Sequence, residues 1–416
     1  MKRQESNRLP LAFWTMELAY GLAMCLSIAR YFAIRFYTQM HTQSILINGA
    51  VGILEQVSFV FVGLFSGLVI DRYARKSVMV VANLLIALFG WLPVLFASTR
   101  EFFVMILIVD LILSGIALFG NGAVPGYKKY LLKKEWLVRA DGISTMITSG
   151  ALLFGITLSY GGFLFYHLAI TWFFIADSVT TFVLALILLR LPKDSLTQGE
   201  KPAALTSVTQ VVGEIKESFR LFAKNPFIVY YTASVSLGNG GSAIVMALIF
   251  VLAARVGSLS TMWLPAIVVG IAMMISGALF SWLAKRIKTM VLIVIADVGV
   301  ALCIFLLPIL SSVTALTVLI ALYFILSSLS TSSYVTLRIR ETPEALQGRF
   351  RSIIVQVSSI SEVLIVLLAS FLGSLFHSLV VSFAIGSVST LIGLLIFLYG
   401  KWRGRFTFTD LASDSQ

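Results

Sequence analysis

The sequence predicts an all-α integral membrane protein of twelve transmembrane helices in two pseudo-symmetric six-helix bundles. Three observations carry this: the composition, the recurrence of long apolar runs, and the placement of the cations. Of 416 residues, 59% are hydrophobic and only 12% charged, and mean hydropathy is +0.97. Soluble domains carry about 25% charged residues. The length would suit two or three soluble domains, but apolar runs of 20 or more residues recur along the whole chain, as helices in lipid require.

The runs place spans at 10–35, 45–70, 77–98, 102–124, 143–165, 167–189, 226–254, 263–284, 289–310, 313–335, 352–375 and 378–400. At about 1.5 Å per residue the second is about 39 Å long, enough to cross with tilt. Strands of a β-barrel would be far shorter and would alternate. Met1-Lys2-Arg3 precedes an apolar stretch too long for a signal-peptide core, so no cleaved leader is expected. Cys25 and Cys303 fall inside spans, so neither a disulfide framework nor a metal cluster is expected, and no cofactor is implied.

A net charge of +12 raises a nucleic-acid partner, and its distribution argues against one. With the N-terminus in the cytoplasm, only Arg30, Arg35, Arg100 and Arg255 among the 31 Lys and Arg residues fall in spans or outer loops. That is the positive-inside bias, held over twelve crossings. It places the chain in the cell membrane with both termini cytoplasmic. His41, His167 and His377 then lie on the outer side as interfacial residues.

The apolar pattern breaks after Arg190. Leu191-Pro192-Lys193-Asp194 ends the sixth span, and a polar stretch follows. Val208, Val211, Val212, Ile215, Phe219 and Phe222 then recur at helical spacing over residues 207–224. A basic amphipathic helix there lies on the membrane surface or covers the cytoplasmic ends of the bundles. The organisation read from this is an N-terminal bundle over 1–190, a cytoplasmic linker over 191–225, and a C-terminal bundle with a short tail over 226–416. The two groups of six spans resemble each other. Residues 67–76 after the second span match 277–286 after the eighth, and residues 133–144 share a basic pattern with 342–352. Parallel six-helix repeats with the substrate between them are a known transporter plan.

Gly67-x-x-x-Asp71-Arg72-x-x-Arg75-Lys76 resembles the signature loop between spans two and three of the major facilitator superfamily. Trp172-Phe-Phe-Ile-Ala-Asp177-Ser-Val-Thr-Thr-Phe182 and the stretch Thr342-Pro343 to Gly348-Arg349 look like the bacterial macrolide-efflux-like branch. The superfamily resemblance covers essentially the whole chain. The loop has Ala74 where glycine is usual, and the fifth span carries Gly150, Gly155, Gly161 and Gly162 without the proline antiporters often have. Physically, Gly67 would let the second span pack closely, and Asp71 at a helix end could accept from Arg75. The resemblance implies that Gly67, Asp71, Arg72, Arg75 and Lys76 form a latch that holds the cytoplasmic face closed. Ser281 stands in place of the acid in the second copy.

Six acids fall within spans: Glu17, Glu55, Asp110, Asp177, Asp297 and Glu362. Each costs about 2.5–3.5 kcal/mol at a span centre, so each needs a partner, a watery cavity or a proton. In the family fold, spans one, four, seven and ten line the cavity. Glu17, Arg30, Asn121, Tyr230, Asn239 and Tyr323 are therefore the substrate-cavity candidates, suited to a bulky, partly apolar, cationic compound. Arg30 could equally snorkel to the outer interface. Asp177 and Asp297 sit on spans that are peripheral in this fold, so a structural role is assigned to them. Spans two and eleven face each other in the family fold, and two carboxyls in one dry seam do not both stay ionised. Glu55 and Glu362 are thus a candidate proton-coupling pair, with Asp110 as the rival. Gly238-Asn239-Gly240-Gly241 is expected to interrupt or bend the seventh span.

No Gly-x-x-x-x-Gly-Lys-Ser/Thr loop is present, so ATP does not drive transport from within this chain. No zinc-protease or nucleophile-elbow motif occurs either. The leading reading is an ion-coupled, monomeric exporter of amphipathic small molecules, with a proton as coupling ion and lipids as surroundings. An uptake or lipid-moving member of the same superfamily is the alternative, and a transport-dead accessory protein stands further off.

Overall fold

The computed structural model describes residues 9–164, 169–194, 213, 216, 219–257, 263–342 and 344–406. Among them every regular element is helical and no strand occurs. The first span is Leu11–Thr42, and the second is built from two helices, Ile45–Gly52 and Leu54–Arg72. The third runs Arg75–Phe89 and continues as Leu92–Leu95. Phe102–Leu131, Lys134–Leu164 and Ile170–Arg190 are the fourth to sixth. Pro226–Val256, Trp263–Leu283, Thr289–Leu306, Val313–Glu341, Glu344–Leu375 and Leu379–Trp402 are the seventh to twelfth. Eleven of the spans are long and apolar enough to cross a membrane over their described residues. The eighth adds a shorter apolar stretch, Val268–Leu283. The fold is thus the predicted twelve-helix one.

Helix ends follow local chemistry. Asn225 accepts from Ile228 N at 3.2 Å, with Pro226 in the first turn, an arrangement that satisfies an orphan donor and presets φ. Ser44 caps Ile45–Gly52 in the same way. After the eleventh span, His377 adopts φ 49°, and Ser378 N donates back to Gly373 O at 2.8 Å. This left-handed stop closes the last turn. The third span is capped from a distance: Arg75 N and Lys76 N donate to the Asp194 carboxylate at 2.7 and 3.2 Å.

Spatial proximity divides the chain into two compact units. One comprises Met1–Ile34 and Val62–Ala204, the other Arg35–Phe61 and Leu205–Gln416. The first and second spans are therefore each shared between units. In the first unit Met16, Met79, Tyr127, Leu184 and Leu188 form a buried core. In the second, Phe227, Tyr231, Tyr334, Phe350, Phe397 and Phe406 do so, with edge-to-face ring pairs such as Tyr231–Tyr334 at 5.7 Å. Leu22, Phe61, Leu88, Phe154, Leu302 and Phe371 instead stand exposed, as lipid-facing side chains would.

Two local expectations are corrected. The seventh span is one continuous 31-residue helix, not an interrupted one. Two of its glycines serve close packing: a Cβ on Gly241 would fall on Gly386 O and Thr390 Oγ1, and one on Gly240 on Ile365. Gly67, by contrast, has nothing among the described residues within 4 Å of where a Cβ would stand, so no close helix contact is seen there. Most of the expected linker helix over 207–224 lies outside the described residues. Leu221 and Phe222 at its end pack on the core of the second unit.

Candidate functional site

In the first unit the first, fourth and sixth spans bring one cation and two acids together. Arg30 donates through Nη1 to Asp110 Oδ1 and through Nε to Asp177 Oδ2, the latter at 2.8 Å. Ser27 Oγ, one turn before Arg30, donates to Asp177 Oδ1 at 2.6 Å. The guanidinium also lies 5.4 Å from the Phe174 ring centroid. Exposures of 7% for Arg30, 4% for Asp110 and 1% for Asp177 place the whole cluster out of solvent. Arg30 therefore does not snorkel. With both carboxylates ionised the cluster carries one net negative charge, which a low-dielectric site tolerates poorly. A proton on either aspartate makes it neutral.

In the same unit, Lys128 Nζ lies 2.7 Å from Glu17 Oε1 and donates to Ser144 Oγ at 2.6 Å. Glu17 is thus a paired acid. Asn121 is exposed. The signature loop is tied to the end of the sixth span: Lys76 Nζ donates to Leu189 O and Leu191 O at 2.9 and 2.5 Å. Tyr127 and Tyr130 hold the same segment by bonds to Pro192 O and Lys193 O at 2.6 and 2.7 Å. Arg75 lies across Gly126, where a Cβ would strike the guanidinium. The side chain of Asp71 lies outside the described residues, so its bond to Arg75 does too.

The second unit contains a cavity of about 320 Å³. Its wall includes Asn239, as expected, together with Glu362, Gln56, Asp297, Tyr231 and Arg338. Asp297 Oδ1 accepts from Ser330 Oγ at 2.5 Å and Oδ2 from Tyr334 OH at 2.9 Å, and Tyr334 OH lies 2.7 Å from Ser234 Oγ. Glu362 and Gln56 share this wall. Glu362 is half-buried and Glu55 is exposed. Tyr230 turns away from the cavity onto Phe406, with ring centroids 6.0 Å apart. Tyr323 is buried behind the cavity wall, its hydroxyl 3.3 Å from Ser242 O.

Sequence reasoning passed over Gln56, Tyr334 and Asp194 and set Asp177 and Asp297 aside as structural. Tyr231, read with Tyr230 as a cavity residue of the seventh span, does line the wall. Some signals were present. Ser27 and Arg30 stand one turn apart on one face, as do Ser330 and Tyr334, and each pair converges on one aspartate. Nothing in the sequence pointed to Asp194.

The description of the Major Facilitator Superfamily matches residues 18–366. The chain belongs to this superfamily. It is a secondary transporter and not an enzyme. Among curated proteins, it is similar to Macrolide efflux protein A of Streptococcus pyogenes, 27% identical over 147 residues. That match spans 35% of this chain and 36% of the relative, so only about a third of each is compared. Among solved structures it resembles the nucleoside transporter NupG, with TM-score 0.69 and 14% identity over 96% of this chain and 100% of that one. It also resembles the inward-open xylose transporter XylE from E. coli, with TM-score 0.68 and 16% identity over 97% and 96% of the two chains. At such identities these likenesses concern the major facilitator fold alone.

Proposed function

We propose that this facilitator exports amphipathic small molecules from the cytoplasm by alternating access, driven by proton entry. The observation that carries the coupling is the Arg30–Asp110–Asp177 cluster. One cation faces two buried carboxylates, so the site changes between neutral and anionic by a single proton. Asp110 is the carboxylate to test first, because Asp177 receives Ser27 in addition to Arg30. Helix motion that wets the cluster would release the proton, and motion that dries it would favour uptake. The partial likeness to a macrolide efflux protein supports export and an amphipathic cargo. The latch residues Gly67, Asp71, Arg72, Arg75 and Lys76 control the inner gate in this reading, and both termini lie in the cytoplasm of a cell-membrane protein that works as a monomer.

A second coupling reading, through Glu55 and Glu362, is favoured by the electrostatic action of one on the other. One experiment separates them. Inverted vesicles carrying the wild type, Asp110→Asn or Glu362→Gln are energised with a proton gradient, and erythromycin uptake and substrate-induced proton movement are followed. Loss of proton movement in Asp110→Asn with retained insertion is expected. Unaltered coupling there, with loss in Glu362→Gln, moves the coupling site. Erythromycin movement in the opposite direction would make the chain an importer, and no movement of any substrate in a panel would make it an accessory protein.

A further inference from the structure

We infer that the cavity of the second unit binds the cationic, hydroxyl-bearing head of the substrate: an ammonium group on a polyol framework such as an amino sugar. This deepens the reading of the chain as an exporter of amphipathic molecules and rests on that cavity being the substrate site. The argument starts from what the wall offers. Asp297 and Glu362 bring two carboxylates, against one cation, Arg338. Neither acid has an ion-pair partner among the described residues. With both ionised, the wall lacks one positive charge, and a monocation supplies it.

A second observation concerns hydrogen-bond direction. Gln56 stands on the same wall as Glu362, with its Oε1 in need of a donor. That oxygen is buried and has no partner. Carboxylates also only accept when ionised. Gln56 Oε1 and the Glu362 carboxylate thus call for donors from whatever fills the space, while Asp297 already accepts from Ser330 and Tyr334. A quaternary or bulky aromatic cation brings charge and no donors, whereas a protonated amine brings three.

Hydroxyls complete the wall. Ser234, Ser327, Thr331, Ser359 and Thr390 reach it from the seventh, tenth, eleventh and twelfth spans, with Asn239 beside them. Hydroxyls both give and receive, so they match the mixed edges of a polyol. Some already serve the protein, as Ser234 does Tyr334. Phe59, Val300, Val335 and Ile354 add an apolar side for the ring carbons. The volume lies at the small end of small-molecule sites, so it seats a head group while any larger apolar body extends beyond it.

The test is titration calorimetry on the full chain in lipid nanodiscs with three probes. Glucosamine is a donor-rich cation, glucose a donor-rich neutral molecule, and tetraethylammonium a cation without donors. Glucosamine is expected to bind about tenfold or more tightly than either, the scale of one charge-assisted bond. Glu362→Gln should remove its advantage over glucose, and Asp297→Asn should reduce it if the first variant does not fold. Equal affinity for glucose, tighter binding of tetraethylammonium, or no binding of glucosamine overturns the inference. Binding here needs no gradient. Selective glucosamine binding without proton-linked flux would sink the export reading and keep this site; the reverse pattern would do the opposite.

Discussion

Replacing Arg30 by glutamine strips the only cation from two buried aspartates. In the wild type each carboxylate receives the guanidinium, and the residues are 7%, 4% and 1% exposed. Removing one partner of a buried ion pair costs about 3–5 kcal/mol, because a charge is left without compensation. Here two carboxylates lose it at once, so Arg30→Gln should fall at the upper end unless both take up protons. Asp177→Asn is a different case. It leaves Arg30 and Asp110 as a neutral pair and weakens the bonds from Ser27 and Arg30, a loss of about 1–3 kcal/mol. The double variant should be less damaged than the sum of the two, since the second change removes one of the stranded charges. The assay is equilibrium unfolding in mixed micelles by tryptophan fluorescence, on protein recovered from the membrane fraction. If Arg30→Gln unfolds within about 1 kcal/mol of the wild type, or no earlier than Asp177→Asn, the cluster is not the coupled ion group described here.

Other expectations follow from close contacts. Gly241→Ala should destabilise by about 1–3 kcal/mol, since its Cβ meets backbone of the twelfth span. Gly238→Ala, with nothing within 4 Å, should be neutral or stabilising by up to about 1 kcal/mol; thermal melts of the two variants in parallel check the contrast. Asp194→Ala should cost about 0.5–2 kcal/mol by uncapping the third span and should speed amide exchange at Arg75 and Lys76, read by mass spectrometry. Asp71→Asn and Arg75→Ala should strongly lower vesicle transport while leaving insertion intact. Wild-type turnover in an inserted Asp71→Asn protein would remove the latch role.

The spans were legible because lipid leaves a backbone few choices: every N–H and C=O must be satisfied within the segment, so apolar length alone marks helix. Side-chain direction was not legible in the same way. Neighbouring residues on a helix point about 100° apart, which is why Tyr231 lines the cavity and Tyr230 packs on Phe406. The family resemblance says which helices surround a cavity and not which face each helix presents. Spans six and nine were set aside as peripheral, yet Asp177 and Asp297 use their inward faces to join the best-connected polar groups in each unit. Charge gave the acids away. Their partners lie 33 to 150 positions along the chain, and a single sequence does not report such pairings.

Three buried cations show how a charge within this fold is to be judged. Lys76 donates to Leu189 O and Leu191 O. Arg35 donates to Gly52 O at 2.8 Å and to Met246 O at 3.0 Å. Gly52 ends the first helix of the second span, where the chain turns at Ile53 before Leu54. Carbonyls at such ends have no helical partner, and in a dry surrounding each would be costly to leave unmet. Lys76, and Arg35 at Gly52 O, therefore cap helix ends. Arg30 differs in kind, because it donates to two carboxylates, Asp110 and Asp177. All three are buried, so burial does not distinguish a structural cation from a coupling one. The acceptor does: only where a buried cation meets groups that change charge is the local field able to switch during a transport cycle. By that criterion Arg30→Lys, which keeps the charge and loses the two-pronged geometry, should disturb proton coupling.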